Sequence, residues 1–310
     1  MPDTAPGFRS GFACFVGRPN AGKSTLTNAI VGEKIAITSS KPQTTRHIIR
    51  GILTRPDAQL VLVDTPGLHR PRTLLGERLN DLVYETWAEV DVIGVCLPSS
   101  QRVGPGDEFL IREIAALPKR PKLVALATKS DLVSPTRLAE HLMKIQSLEE
   151  PLGVRWEAII PVSALTDDQV DVVTDEIVKL LPEGPALYPE EAVTDESDET
   201  RIAELIREAA LEGVRDELPH SIAVLVDEMG LREGRPAKKP LMDIYATIVV
   251  ERDSQKGIII GHRGERLRAV GSAAREQINA LLGMPCYLDL KVKVLKDWQR
   301  DAKHLNRLGF

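Results

Sequence analysis

The chain has 310 residues, 43% hydrophobic and 27% charged, with a formal net charge of -5, which fits a soluble globular protein and excludes a polycation. This length allows two domains, each with its own core. The charge is uneven, with net -7 over residues 183–200 and net +3 over residues 201–310. We therefore expect an acidic connector followed by a basic C-terminal part.

Secretion and membrane insertion are not expected from the sequence. The N-terminal residues lack a charged start followed by a long apolar core, so no signal peptide is predicted. No apolar run approaches the roughly 20 residues needed to span a bilayer. Cys14, Cys96 and Cys286 are far apart, which favours buried free thiols over a disulfide or a metal site. These features predict a cytoplasmic protein without a transmembrane segment.

The first part of the chain alternates strand and helix patterns. Apolar runs predict strands over 11–17, 48–54, 59–65, 91–97, 122–128 and 158–164. Helical spacing and helix boundary signals predict helices over 23–32, 74–89, 108–117, 135–149 and 170–181. Apolar strands that alternate with helices imply a mostly parallel sheet buried on both faces. Residues 1–182 are therefore predicted to form an α/β domain.

The alternation ends after residue 181. Residues 182–200 contain three prolines and seven acids, so we predict that 183–200 is an acidic linker. Beyond it the patterns predict a helix, two strands, two helical pieces around a pair of glycines, and a third strand, over 201–218, 220–229, 242–252, 258–282 and 286–296. Residues 201–310 are therefore predicted to form a smaller α+β domain.

A phosphate-binding loop follows the first predicted strand. Residues 17–24 fit GxxxxGK[ST] and precede a helix, which is the context that distinguishes this motif from a chance glycine loop. The glycines let backbone N–H groups converge on phosphate oxygens at a helix N-terminus. Lys23 can reach the β- and γ-phosphates, and Ser24 can ligate Mg²⁺. We assign to nucleotide binding Gly17, Arg18, Pro19, Asn20, Ala21, Gly22, Lys23, Ser24 and Thr25.

A second phosphate-site motif, Asp64-Thr65-Pro66-Gly67, follows the strand at 60–63. The Asp64 carboxylate can hold Mg²⁺ through a water, and the Gly67 N–H can contact the γ-phosphate. Alone this tetrapeptide could be a turn, but its distance after the phosphate-binding loop favours the nucleotide site.

The polar loop at 39–51 should supply a threonine to Mg²⁺ and the γ-phosphate. Thr44 and Thr45 are adjacent candidates, of which we favour Thr45. Loops that are ordered only by the γ-phosphate act as switches.

A base-recognition motif, Thr128-Lys129-Ser130-Asp131, follows a later strand. Asp131 can accept hydrogen bonds from guanine N1–H and N2–H₂, and a site built for such bonds can discriminate by about 10⁴–10⁵. Lys129 can lie along the base, and the backbone N–H groups of Ser163 and Ala164 are candidates for guanine O6. Because adenine offers no matching donors, these residues predict GTP rather than ATP.

Thr128 stands where many GTP-binding proteins have Asn. An Asn amide can contact guanine and tie the base loop to the phosphate loop together, whereas a hydroxyl is shorter and has one donor. Because one hydrogen bond contributes about 0.5–1.5 kcal/mol net, we predict nucleotide binding that is weaker by several-fold, with specificity intact.

The C-terminal part contains a GxxG, Gly261-His262-Arg263-Gly264, which is weak alone because paired glycines are common. Three isoleucines precede it and a basic helix follows, a layout that resembles a KH module whose GxxG loop clamps the RNA backbone. The alternative is a solvated helix face with a glycine-capped turn. The candidate RNA-binding residues are Lys256, Gly261, His262, Arg263, Gly264, Arg266 and Arg268.

Together these motifs resemble the Era family of GTPases over nearly the whole chain. The stretches that carry the resemblance are "GRPNAGKSTLTNAIVG" (17–32), "QTTRH" (43–47), "DTPGLHRP" (64–71) and "GIIIGHRGERLRAVG" (257–271). The resemblance implies a P-loop GTPase domain with a mostly parallel sheet, then a KH domain, with Mg²⁺ and GTP or GDP as ligands. It further implies binding to small-subunit (16S) ribosomal RNA near its 3′ end and assistance in small-subunit assembly. Some members are also found at the inner face of the cell membrane, so peripheral membrane contact is a further expectation.

The catalytic candidates are Lys23, Thr45, Gly67 and Asn20. Leu68 occupies the position of the water-orienting Gln of Ras-like enzymes, a replacement shared by the family. We therefore expect slow intrinsic hydrolysis, with water held by switch backbone and other groups. In potassium-stimulated relatives an Asn at the position of Asn20 helps bind K⁺, which makes K⁺ a further candidate ligand; bracing of the loop is the alternative. A last hypothesis is that GTP orders the switches and permits RNA binding, and that hydrolysis releases the RNA-bound state.

Three other functions are consistent with part of the sequence. A GTPase acting in tRNA modification would lack this GxxG layout. An RNA-binding module without turnover would not need intact Lys23, Ser24, Asp64 and Gly67. A membrane-surface protein could use the bases at 256–275, although the acidic linker would repel anionic lipid.

Overall fold

The structure, a computed structural model, describes residues 7–38, 44–214, 221–236 and 238–310. They divide into two compact units: the first takes residues up to 38, 45–70 and 78–195, and the second takes Thr44, residues 71–77 and residues from 196 onward. Positions 39–43 of the predicted switch loop, the end of the predicted helix 201–218 and His220 of a predicted strand lie outside the described residues.

The first unit is built on a six-stranded sheet in the order β2-β3-β1-β4-β5-β6. Only β2 is antiparallel to its neighbour, so the predicted mostly parallel sheet is confirmed. The strands are β1 (Arg9–Val16), β2 (Ile49–Thr54), β3 (Ala58–Asp64), β4 (Val92–Cys96), β5 (Lys122–Thr128) and β6 (Trp156–Val162). The helices are α1 (Lys23–Val31), α2 (Leu74–Glu89), α3 (Pro105–Ala115), α4 (Pro135–Gln146), α5 (Glu149–Leu152) and α6 (Val170–Leu180).

Both faces of this sheet are covered by helices. One core cluster includes Leu26 of α1 and Ile177 of α6, and the other includes Trp87 of α2, Ile111 of α3 and Ile145 of α4. The strands are correspondingly apolar on both sides, as β3 and β4 show by being buried throughout. The parallel arrangement brings the carboxyl ends of β1, β3, β4, β5 and β6 to one edge, where ligands bind in open α/β sheets.

The second unit contains α7 (Asp198–Leu211), β7 (Ala223–Leu231), β8 (Met242–Val250), α8 (Asp253–Ile260), α9 (Glu265–Leu282), β9 (Cys286–Val294) and α10 (Ala302–Arg307). Its sheet has the order β7-β8-β9, with β8 antiparallel to β7 and parallel to β9. This is the predicted smaller α+β arrangement, with α8 and α9 joined at the GxxG.

Residues 183–195, at the start of the predicted acidic linker, lie with the first unit. The Gln59 side chain accepts hydrogen bonds from the N–H groups of Leu187 and Tyr188, and the Ile52 N–H donates to the Val193 carbonyl at the edge strand β2. Covering an edge in this way removes a row of unpaired backbone groups. The domain limits drawn from the sequence stay a prediction. Cys14, Cys96 and Cys286 are buried free thiols, as expected.

Candidate functional site: the carboxyl edge of the large sheet and the GxxG turn

The phosphate-binding loop joins the end of β1 to the start of α1. Gly17 is required by close approach, because a Cβ there would lie 2.7 Å from the Cys96 carbonyl oxygen. Gly22, the residue before α1, has a φ of +94°, which favours glycine. The Lys23 ammonium donates to the carbonyls of Gly17 (3.0 Å) and Arg18 (3.2 Å). Burial lowers the pKa of Lys23, whereas the nearby Cys96 and Asp64 act in the opposite direction.

Three oxygen-bearing side chains converge beside this loop. Asp64 ends β3 and pairs with Ile49 at the start of β2, so the chain that enters β2 passes its carboxylate. One carboxylate oxygen, Oδ2, accepts hydrogen bonds from Ser24 (2.9 Å) and Thr45 (3.1 Å). The two hydroxyl oxygens are 3.4 Å apart. The threonine at this cluster is thus Thr45, while the Thr44 carbonyl accepts a hydrogen bond from Arg207 in the second unit.

Asp64 is 1% exposed, and burial raises the pKa of its carboxyl, which the hydrogen bonds from Ser24 and Thr45 and the charge of Lys23 lower in part. The second carboxylate oxygen, Oδ1, is buried and has no hydrogen-bond partner among the described residues. A hydroxyl and carboxylate set with an unsatisfied buried oxygen is suited to a hard cation such as Mg²⁺.

The loop after Asp64 runs outward without regular structure to α2. Thr65 is buried, and open space surrounds the Gly67 Cα where a Cβ would be. Leu68 packs against the core, so this position is structural as well as lacking a water-orienting amide. His69 and Asn80 form hydrogen bonds here that the sequence did not predict; the only signal was the position of His69 within the stretch DTPGLHRP (64–71).

The base-recognition residues follow β5. Thr128 is buried, and its hydroxyl donates to the Ala21 carbonyl at 2.7 Å, so the hydroxyl does tie the base loop to the phosphate loop. Lys129 has a φ of +58° and precedes a short 3-10 turn that contains Asp131, whose side chain is exposed. The Ser130 hydroxyl is buried without a hydrogen-bond partner among the described residues.

The loop after β6 supplies the last predicted residues. The Ser163 N–H donates to the Asp168 carbonyl at 3.0 Å, and the Ser163 hydroxyl accepts from the Thr166 N–H at 3.3 Å. Of the two N–H groups predicted for guanine O6, that of Ser163 is therefore already engaged within its own loop. The N–H of Ala164 is the other group predicted for guanine O6.

Arg18 and Asn20 are two further residues of the phosphate-binding loop. The Arg18 guanidinium donates to buried Asp107 at the start of α3, at 2.7 Å. Asn20 has a φ of +61°, a conformation that asparagine tolerates better than most residues. Asp107 was not foreseen from the sequence, since no motif marks it.

The GxxG forms the turn between α8 and α9. Gly261 has a φ of +70°, and a Cβ there would lie 2.7 Å from the Cβ of Arg266. Arg263 also has a positive φ, +49°, and its side chain is exposed, as are those of His262 and Arg268. Arg266 differs, because its guanidinium donates to the carbonyls of Ala210 (3.3 Å) and Glu212 (2.7 Å) at the end of α7. Lys256 of α8 is half-buried.

Comparison with known families places two matches along the chain. The family described as "50S ribosome-binding GTPase" matches residues 12–129, and the family described as "KH domain" matches residues 217–299. Among the described residues, we find no helix with the length and apolar character to cross a bilayer.

Several curated proteins are similar over almost the whole chain. GTPase Era of Streptomyces coelicolor is 66% identical over 97% of this chain and 95% of its own length. GTPase Era of Mycolicibacterium smegmatis is 59% identical over 98% of this chain and 99% of its own.

Two solved structures have the same architecture. A crystal structure of Era in complex with MgGDPNP and nucleotides 1506–1542 of 16S ribosomal RNA superposes with a TM-score of 0.90, at 33% identity, covering 97% of this chain and 99% of that one. A variant of Aquifex aeolicus Era bound to GDP and aluminium fluoride also gives a TM-score of 0.90, at 32% identity and with the same coverage.

Proposed function

The chain belongs to the Era family of GTPases, and from that premise we propose that it is a GTP-controlled RNA-binding switch. It binds small-subunit (16S) ribosomal RNA near the 3′ end through its KH domain and assists assembly of the small ribosomal subunit. The observation that carries the proposal is the meeting of Ser24, Thr45 and Asp64 at one carboxylate oxygen in a chain that also presents an exposed GxxG turn. A relative of similar fold was solved with both MgGDPNP and a 16S RNA segment.

Ser24 and Thr45 hold Mg²⁺ directly in this proposal, and Asp64 holds it through a water. Bound Mg²⁺ neutralises charge on the β- and γ-phosphates. Lys23 exchanges the carbonyls of Gly17 and Arg18 for phosphate oxygens, a site that favours its charged form. The pKa of Lys23 that burial lowers therefore rises again when nucleotide binds.

Base choice rests on Asp131 and Ala164. The exposed Asp131 carboxylate accepts from guanine N1–H and N2–H₂, and the Ala164 N–H donates to O6. The remaining loop residues Gly17, Pro19, Asn20, Ala21, Gly22 and Thr25, with Thr65, Pro66, Lys129 and Ser130, shape the nucleotide site.

Hydrolysis uses the Gly67 N–H on the γ-phosphate, with the attacking water held by backbone of the switch loops, since Leu68 cannot hydrogen-bond. We expect intrinsic turnover well below about 1 s⁻¹, because Ras-like intrinsic rates are on the order of 10⁻⁴ s⁻¹. Asn20 is proposed to contribute to a K⁺ site beside the phosphates. Comparing phosphate release in K⁺ and in Na⁺ tests this role, and equal rates would exclude it.

The RNA-binding surface consists of the exposed His262, Arg263 and Arg268, with Gly261 and Gly264 giving the backbone close access to phosphates. Lys256 adds positive charge. Arg266 instead donates hydrogen bonds to carbonyls at the end of α7 and so stabilises the turn without facing the RNA. Coupling to nucleotide is supported by the membership of Thr44 and residues 71–77 in the second unit, where Arg207 binds the Thr44 carbonyl.

The test is RNA crosslinking with sequencing on protein loaded with a non-hydrolysable GTP analogue or with GDP. We expect crosslinks at the 3′-terminal segment of small-subunit RNA, with the analogue only. Equal crosslinking in the two states would reject the switch. Preference for tRNA would favour the tRNA-modification alternative, and absence of phosphate release would favour a module without turnover.

The proposed location of the protein is the cytoplasm, because its proposed partner, the small ribosomal subunit, is assembled there. Peripheral contact with the inner face of the cell membrane is part of the proposal and rests on the bases Lys256, Arg263, Arg266, Arg268 and Arg275 against the single acid Glu265 in residues 256–275. Cosedimentation with anionic vesicles, compared with neutral vesicles, tests it.

A further inference from the structure

A pair of side chains that no motif marks holds the loop after Asp64. The Asn80 amide of α2 donates to the His69 carbonyl at 2.8 Å and accepts from the His69 N–H at 3.4 Å, so it contacts both backbone polar groups of His69. The His69 ring in turn places Nδ1 3.2 Å from the Gly67 carbonyl oxygen. We name these contacts the Asn80–His69 latch.

The chemistry of the latch fixes the form of the ring. A carbonyl oxygen only accepts hydrogen bonds, so Nδ1 must carry the proton, and Nε2 is not used by this contact. The loop needs such a contact, because it has no regular structure between β3 and α2 and because open space surrounds Gly67. Leu68 also packs on the core, but its apolar side chain cannot form a directional hydrogen bond.

We infer that His69, held by Asn80, is a positioning residue that fixes the Gly67 backbone so that its N–H stays directed at the γ-phosphate. This rests on the proposed function, in which the Gly67 N–H contacts GTP. Fixing the carbonyl on one side of Gly67 limits rotation of the backbone that carries the N–H on the other side. Since GDP has no γ-phosphate, the latch should contribute to GTP binding and hydrolysis and not to GDP binding.

The experiment measures, for each variant, affinity for GDP, affinity for a non-hydrolysable GTP analogue, and single-turnover phosphate release. In His69→Ala and Asn80→Ala we expect analogue affinity to fall by about 2- to 12-fold, the equivalent of one net hydrogen bond. Phosphate release should fall at least as much, with GDP affinity within about twofold of wild type. Unchanged GDP affinity also reports that the variants are folded. Asp81→Ala, an exposed neighbour on α2, is the matched control and should behave as wild type.

Two conservative variants separate positioning from direct action on water. His69→Asn keeps a donor near the position of Nδ1 and loses Nε2, so it should restore most of the analogue affinity and phosphate release. His69→Gln keeps a polar group near Nε2 instead. If His69→Gln restored activity and His69→Asn did not, the ring would act through Nε2, and the positioning role would be wrong.

Failure of this inference is distinguishable from failure of the proposed function. If wild type did not bind guanine nucleotides or release phosphate, the proposed function would fail. If wild type did both and the alanine variants matched it in the ratio of analogue to GDP affinity, only the latch would be rejected. An equal loss of both affinities would mean a general structural role and would also reject it.

Discussion

The phosphate end of the large sheet and the GxxG turn are the two regions proposed to bind phosphates, and their side chains are arranged differently. At the sheet edge, Asp64 is buried and Lys23 is half-buried, and both are hydrogen-bonded to groups of their own site. At the turn, Arg263 and Arg268 are exposed.

This difference in burial predicts how strongly a substitution in each region affects binding. A buried polar group that loses its partner costs the full desolvation penalty, so a substitution of the buried Asp64 at the sheet edge should have a large and specific effect. An exposed cation contributes to RNA binding through a charge that salt screens. Removing one arginine at the turn should therefore weaken RNA binding only slightly, by an amount that depends on salt concentration.

Asp64→Asn should have the largest effect. It keeps an acceptor for Ser24 and Thr45 but removes the charge proposed to hold Mg²⁺, and we expect Mg²⁺-dependent phosphate release to fall on the order of 10²–10³-fold. Asp57→Asn, just before the other end of β3, is the control and should leave the rate unchanged. Equal rates in the two variants would contradict the assignment of Asp64 to the metal site.

The same variant should be more stable without nucleotide. Burial raises the folded-state pKa of Asp64 above its ordinary value of 3.8, so the folded state binds the proton more tightly than the unfolded state. The free energy of unfolding therefore declines as pH rises from about that value through the raised pKa. Asp64→Asn should lack this decline and have a higher Tm at neutral pH in nucleotide-free, Mg²⁺-free buffer, measured by calorimetry. A lower Tm would show that the buried charge is stabilised by contacts other than Ser24, Thr45 and Lys23.

Asp131→Asn tests the proposed recognition of guanine at the same edge of the sheet. An amide presents a donor where the carboxylate accepted from guanine, so GTP affinity should fall by about 100-fold or more through two charge-assisted bonds. Xanthine carries an acceptor in place of the guanine amino group, and the variant should bind XTP better than wild type does. Titration with GTP and XTP measures both, with Asp167→Asn as the exposed control. Retained GTP preference would mean that Asp131 does not contact the base.

The two regions also differ in how far they could be predicted from sequence. The phosphate and base motifs predicted the sheet edge because consecutive residues carry the chemistry, and the parallel strands bring Gly17, Asp64 and Thr128 together. What could not be predicted is long-range pairing through single side chains, as in Arg18 with Asp107 or Asn80 with His69. Arg263 lies inside the GxxG and Arg266 two residues after it, but no motif indicates that the Arg266 side chain turns toward α7.

Those two arginines provide the next prediction. Arg266→Ala removes donors to two carbonyls at the C-terminal end of α7 and should lower the free energy of unfolding of the second unit by about 1–2 kcal/mol. Arg263→Ala should leave stability unchanged, weaken RNA binding by a few-fold and reduce the salt slope of binding by about 1. Denaturant unfolding and RNA titration at several salt concentrations separate the two effects. If Arg266→Ala weakened RNA binding and Arg263→Ala lowered stability instead, Arg266 and not Arg263 would face the RNA.

Substitution of Thr128 should have the smallest effect on nucleotide affinity at the sheet edge. It tests whether replacing a buried residue there can increase that affinity. Its hydroxyl already donates to the Ala21 carbonyl, so the tie to the phosphate loop is made and only the second contact, to guanine, is missing. Thr128→Asn should therefore tighten GDP and GTP alike by several-fold, the equivalent of about 0.5–1.5 kcal/mol. Thr128→Val loses the tie and should weaken both nucleotides by a similar factor, so the two variants should lie on opposite sides of wild type. If both variants bound nucleotide more weakly than wild type, threonine would be the residue that gives the highest affinity of the three at this position.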